Sequence, residues 1–246
     1  MDIHEFLETV AALFWPTRCA ACGNRIPGDP KDLRFRGFCH HCAETFTFIE
    51  TPWCPQCGIP YSGAGPNHTC LACSIAPPPY TRARAALAYG GAIASAIQRF
   101  KYGNLPYIHV FLVPFLLGTG SEFSTPDVVV PIPLYHRRLR KRGFNQSALL
   151  AKSLARFMAA PINPSIMARV RDTPTQAGLN RERRQKNIAG AFVVKKPHLI
   201  FEKKILIVDD VITTTATARE AASTLLGAGA SSVEIIALAR SVDSNY

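Results

Sequence analysis

The chain has 246 residues, 48% of them hydrophobic, which is enough to close the core of one ordinary domain plus a small module and excludes wholesale disorder. Its 28 Lys+Arg against 17 Asp+Glu give a net charge of +11, unevenly spread: residues 1–80 carry 5 basic and 7 acidic side chains, residues 81–246 carry 23 and 10. The second part therefore suits an anionic partner such as polyphosphate, nucleic acid or a membrane surface. Asp2, Glu5 and Glu8 without a basic cluster argue against a signal peptide, and the longest apolar run, Val110 to Leu117, is too short to span a bilayer. A cytoplasmic protein with no transmembrane segment is expected.

In chain order, Ile3, Phe6, Leu7, Val10, Leu13 and Phe14 recur at helical spacing, so residues 2–14 are expected to form a short amphipathic helix that docks on the body of the protein. Residues 1–17 form the first of three expected segments. The second, 18–76, holds all 8 cysteines as four Cys-x-x-Cys pairs: Cys19/Cys22, Cys39/Cys42, Cys54/Cys57 and Cys70/Cys73. Without a secretory signal disulfides are disfavoured, and two such pairs complete one tetrahedral zinc site, so two structural Zn2+ are expected. Sequential pairing is preferred, with a crossed arrangement as the alternative. Gly23 and Gly58 follow a second cysteine, where a tight knuckle needs a permissive backbone. His40, His41 and His68 read as bystanders. The module should act as a staple, and Cys19→Ser is expected to unfold it while leaving the C-terminal domain able to bind ligand.

"APPPY" (76–80) is a stiff joint opening the third segment, 77–246. From Arg84 the pattern reads strand then helix, with helix resuming near Ile108 to Leu117. Asp127 to Pro133 reads as a buried strand, Asn145 to Met158 as a helix and 168–170 as a short strand. Arg171 to Asn187 reads as a basic loop. "AFVV" and "KILIVDD" read as strands, "ATAREAASTLLGAGA" as a helix and Val233 to Arg240 as the last strand. Apolar strands alternating with helices predict an α/β domain with a mostly parallel sheet covered on both faces.

Ligands of such sheets sit beyond the carboxyl ends of the strands, where Asp209 and Asp210 stand. The turn that follows enters a helix whose free N–H groups favour a phosphate, and the threonine hydroxyls add donors. Carboxylates repel phosphate, so they should face sugar hydroxyls or water on Mg2+. A ribose 5-phosphate has both ends. Two plainer readings compete: the acidic first strand of a response-regulator receiver, and a strand–turn–helix whose threonines merely cap. A second basic run, Arg137, Arg138, Arg140, Lys141 and Arg142, lies just past another strand end and suits phosphate or single-stranded DNA, with Phe144 or Tyr135 as stacking surfaces.

Val208 to Thr217 resembles the phosphoribosyl-pyrophosphate (PRPP) motif of type I phosphoribosyltransferases. The resemblance implies that Asp209 and Asp210 meet the ribose hydroxyls and the Mg2+ shell, and that Thr213, Thr214, Thr215, Ala216 and Thr217 wrap the 5-phosphate. Pro131, Ile132, Pro133 and Leu134 would form the pyrophosphate loop. Arg171 to Asn187 would be the catalytic loop, with Arg183 and Arg184 on the diphosphate and Gln176 orienting. Thr215 departs from the motif, which usually has glycine there. The four Cys-x-x-Cys pairs, "FKYG" (100–103), "PIPL…RRLRKRGFNQ", "DTPTQAGLNRERRQKNIAGAF" and "VDDVITTTAT" together resemble the ComF (GntX-like) family, a double zinc ribbon followed by a type I phosphoribosyltransferase-like domain. That family implies an association with DNA uptake and natural transformation, and a further reading is a scaffold whose zinc module docks a protein of the DNA-uptake machinery. The expected function is phosphoribosyl transfer from Mg-PRPP to an unassigned acceptor. The alternative is a non-catalytic single-stranded DNA-binding competence adaptor on the same fold.

Overall fold

A computed structural model describes residues 18–26, 33–172 and 188–242. The expected helix over 2–14, and Gln176, Arg183 and Arg184, lie outside them.

The centre is a four-stranded parallel sheet in the order β1 (Arg82–Ala88), β6 (Ser232–Arg240), β5 (Lys204–Ile212), β2 (Val128–Pro131). The middles of the strands are apolar because both faces are covered. Val129, Leu206, Val208, Ile236 and Leu238 point to one face, beneath α3 (Gly91–Tyr102), α4 (His109–Gly120) and α6 (Gln146–Phe157). Val128, Val130, Ile205, Ile207 and Ile235 point to the other, beneath α7 (Ala216–Gly227) and a two-stranded antiparallel ribbon of β3 (Met167–Arg169) and β4 (Phe192–Val194). "AFVV" is thus a strand as expected, but it pairs with residues 167–169 outside the main sheet. The basic run after β2 is itself a helix, α5 (His136–Arg142), closed by Gly143 at φ 79°. Pro114 sits inside α4 without ending it.

The zinc ribbon contains two short helices, α1 (His40–Ala43) and α2 (Leu71–Ile75). It is joined to the sheet far more closely than a tethered module. β1 is an edge strand, and its open side is taken up by ribbon backbone: Ile49 N–H donates to Ala86 O at 3.0 Å, Ala88 N–H to Thr47 O at 2.9 Å and Ala83 N–H to Gln56 O at 2.7 Å. An uncovered edge would be a template for aggregation. Phe115 of α4 lies 5.4 Å from Phe46 and 5.9 Å from Phe35, ring centroid to centroid, and Phe38 and Phe48 complete the cluster. Arg99 of α3 donates to Cys19 O at 2.6 Å, and the buried Arg240 at the end of β6 donates to Cys57 O. Cys19, Phe38, Cys42 and Phe46 belong to the same hydrophobic cluster as Leu87 and Ile93. Loss of Cys19 should therefore be felt in α3 as well as in the ribbon.

Candidate functional site

The cysteines form two groups, Cys19, Cys22, Cys39, Cys42 and Cys54, Cys57, Cys70, Cys73, with the four sulfurs of each within 4.8 Å of one another. Pairing is sequential. Cys22 Sγ to Cys39 Sγ and Cys57 Sγ to Cys70 Sγ are both 3.8 Å. A tetrahedron of Zn–S bonds of about 2.3 Å has edges of about 3.8 Å, so the donor sets fit Zn2+. Burial pushes the Cys19 and Cys54 thiols up, but backbone N–H groups of the knuckles outweigh it, holding Cys19 at about 7 and Cys54 at about 6. Burial instead holds Cys39, Cys42, Cys57 and Cys73 above their ordinary values, so each set joins one easily ionised thiol to others that ionise less readily without a metal. Gly23 (φ 81°) and Gly58 (φ 71°) supply the left-handed turn of each knuckle, with Gly23 N–H donating to Cys19 O and Gly58 N–H to Cys54 O.

The second centre lies near the carboxyl end of β5. β5 pairs with β2 only as far as Val208, opposite Pro131, but continues along β6 to Ile212. Asp209 and Asp210 thus stand inside a strand that has lost one neighbour. Asp210 is 4% exposed, and its Oδ2 lies 2.6 Å from Lys101 Nζ at the C-terminal end of α3. Burial pulls the Lys101 ammonium down, but the attraction of Asp210 prevails and holds it above its ordinary value. Asp209 Oδ1 accepts from Ser147 Oγ at 3.1 Å and from the Asp210 N–H at 2.8 Å. Burial, with Asp210 beside it, raises Asp209 to about 7, although Lys101 and these two bonds pull the other way.

The hydroxyl turn follows directly. Thr213, Thr214 and Thr215 are half-buried, Ala216 begins α7, and Thr214 Oγ1 is a buried oxygen with no hydrogen-bond partner among the described residues. Thr215 adopts φ 61°, ψ −3°, the left-handed region that a β-branched residue resists. The departure from glycine therefore falls at a position where glycine would be unstrained. Pro131, Ile132 and Pro133 are buried and Leu134 half-buried; Ile132 N–H donates to Val208 O, and Asn145 Nδ2 donates to Ile132 O at 3.0 Å.

The motifs "FKYG" and "RGFNQ" pack directly against each other. Phe100 stacks on Phe144 at 5.4 Å, and the Arg142 guanidinium lies over the Tyr102 ring at 5.1 Å. Arg142 also donates to Oε1 of the buried Gln146. Neighbouring residues of the first turn of α6 thus divide the work, with Gln146 holding Arg142 and Ser147 holding Asp209. Of the basic run, Arg137, Arg140 and Lys141 are exposed, while Arg138 and Arg142 are half-buried. Arg137 and Arg138 lie 3.9 Å and 3.6 Å from Asp172 carboxylate oxygens. Between α3 and α5 runs a cleft of about 550 Å3 whose wall includes Lys101, Tyr102, Lys141 and Arg142. Sequence reasoning gave Lys101, Tyr102, Gln146 and Ser147 no role. "FKYG" was the available signal, but nothing in a sequence brings residue 101 to residue 210.

Fold and sites together define a double zinc ribbon packed on an α/β domain with a four-stranded parallel sheet. Residues 10–74 match the double zinc ribbon domain family. The chain is 34% identical over 221 residues to the DNA utilization protein YhgH of Salmonella typhimurium, covering 87% of this chain and 94% of that protein. It is 29% identical to competence protein F of Haemophilus influenzae (92% and 98% covered) and 32% identical to competence protein ComFC of Bacillus subtilis (82% and 84% covered). The chain belongs to the ComF family. Among solved structures it is similar to a glutamine PRPP amidotransferase from B. subtilis (18% identity, TM-score 0.39, 56% of this chain and 30% of that one). It is also similar to a hypoxanthine phosphoribosyltransferase from Staphylococcus aureus (14% identity, TM-score 0.34, 57% and 65%). Among the described residues no helix is long and apolar enough to cross a membrane.

Proposed function

We propose that the turn after β5 binds Mg-PRPP and that the protein transfers its phosphoribosyl group to an acceptor in the service of DNA uptake. The observation that carries this reading is the order of parts on one strand end: a paired carboxylate, then a hydroxyl turn with an unpartnered buried oxygen on Thr214, then the N-terminus of α7. The donor set fits the ligand. Ser147 and one backbone N–H meet Asp209 Oδ1 and Lys101 meets Asp210 Oδ2, and the other carboxylate oxygens would meet ribose hydroxyls or water on Mg2+. Mg2+, when bound, neutralises charge on the diphosphate. Thr213 to Thr217 would hold the 5-phosphate, and Pro131 to Leu134 would face the diphosphate. In transfer, the bond from C1 to the diphosphate oxygen breaks with its electron pair leaving on diphosphate. The acceptor's lone pair then bonds C1 and its proton passes to solvent. Arg183 and Arg184 would stabilise the departing charge, with Gln176 orienting. Calorimetry with PRPP, with and without Mg2+, tests the reading: Mg-dependent heat that Asp209→Asn or Asp210→Asn weakens is expected. No heat from folded wild type at millimolar ligand refutes it.

A second reading, a single-stranded DNA adaptor, draws on α5, which buries none of its seven residues and exposes Arg137, Arg140 and Lys141. The names of the relatives, DNA utilization and competence proteins, favour it too. Binding should then fall steeply as salt rises, and alanines at Arg137, Arg138, Arg140, Lys141 and Arg142 should abolish it.

A further inference from the structure

The cleft between α3 and α5 is more than an anion patch. Its wall carries five cations against one acid, which would satisfy any phosphate. It also carries two groups that a phosphate does not need. Tyr102 is 64% exposed although Arg142 lies over its ring, so the ring offers a stacking surface to the cleft. Asn104, held at φ 52° just past the end of α3, brings an amide that can both donate and accept. A ring for stacking, an amide for polar edges and cations for phosphate are the three parts of a nucleotide site. The volume of about 550 Å3 is in the range of pockets that take a ligand of that size.

The wall is also built rather than incidental. Arg142 is fixed by the buried Gln146, Phe100 and Phe144 stack beneath the two motifs, and Lys101 is fixed by Asp210. Lys101 belongs to both the cleft and the acid pair, so an occupant of the cleft would sit beside the end of β5.

We infer that this cleft is a nucleotide-binding site, with the base on Tyr102 and Asn104 and the phosphate on Lys141 and Arg142. The inference goes beyond the PRPP reading and does not depend on it. It differs from the adaptor reading in placing the base on Tyr102 and Asn104 inside the cleft rather than on Phe144 or Tyr135. The ligand chemistry, a nucleoside phosphate, is shared by a free mononucleotide and by one unit of a single strand.

The test titrates the full zinc-loaded chain, without PRPP, with adenosine 5′-monophosphate, a short oligothymidylate and inorganic diphosphate. At least one nucleotide should bind more tightly than diphosphate. Tyr102→Ala, an exposed position that leaves the core intact, should weaken that nucleotide about 5- to 150-fold, the usual worth of one base–aromatic stack. Tyr102→Phe should restore it, and diphosphate should not respond to either variant. Saturation by the monophosphate assigns the site to a free nucleotide; binding of the oligonucleotide alone, with the same Tyr102 dependence, assigns it to a strand. Diphosphate binding as tightly as both nucleotides, or indifference of both nucleotides to Tyr102→Ala, overturns the inference. Because PRPP is absent throughout, failure here leaves the calorimetric test of the sugar-phosphate site unaffected.

Discussion

Replacing Thr215 by glycine should stabilise the protein. Thr215 holds φ 61° and ψ −3° at the N-cap of α7, and its side chain makes no capping hydrogen bond. A side chain in this region costs about 1–3 kcal/mol, more for a β-branched residue than for others. Glycine removes that cost but gives back about 0.5–1 kcal/mol through the greater freedom of the unfolded chain. The net gain is about 0.5–2 kcal/mol, or a rise in Tm of roughly 1–8 °C for a chain of this size. Thr215→Ala is the control, because it keeps a Cβ in the left-handed region and should gain much less. The assay is thermal or urea unfolding of the three zinc-loaded proteins. A glycine variant no more stable than wild type, or no better than the alanine variant, refutes the strain argument. On the PRPP reading, a loss of phosphate affinity in the glycine variant would measure the Thr215 hydroxyl.

Zinc analysis should return about two ions per chain from the two four-cysteine sets. Cys54→Ser should lower the melting of the whole chain, since the ribbon covers the β1 edge; an α/β part that melts at its wild-type temperature would contradict this. Gly58→Ala should also destabilise: its Cβ would lie 2.4 Å from Ala83 O at φ +71°. Gly63→Ala, at φ +98° with nothing within 4 Å, pays the conformational cost of about 1–2 kcal/mol alone and should be the milder change. Asp209 takes its proton at about 7 in the folded protein against 3.8 ordinarily, so the native state binds the proton more readily than the unfolded chain. Stability from this group is present below about pH 4 and is lost as pH rises to about 7. Asp209→Asn should accordingly stabilise the protein at pH 8, by no more than about 4 kcal/mol, and give no such gain at pH 4. Equal effects at both pH values would refute the assignment. If Mg-PRPP binds there, its affinity should fall about tenfold per unit below pH 7, because the cation needs the carboxylate.

The sequence by itself determined what depends on spacing and local chemistry. Four Cys-x-x-Cys pairs set eight ligands, because two residues between cysteines bring both sulfurs to one ion. Apolar runs of strand length set a covered parallel sheet, and the run Asp209, Asp210, Thr213–Thr217 set a polar turn between a strand and α7. The identity of Thr215 raised the question of strain; its φ answered it. Tertiary structure alone decided what depends on which distant segments meet. "AFVV" became half of a separate hairpin because residues 167–169 offered its backbone a partner. The zinc ribbon became part of the main core because β1 is an edge strand whose free N–H and C=O groups need partners, and residues 47–56 provide them. Lys101 became the counter-ion of Asp210 because α3 ends where β5 outruns β2, a juxtaposition across more than a hundred residues that no local pattern encodes.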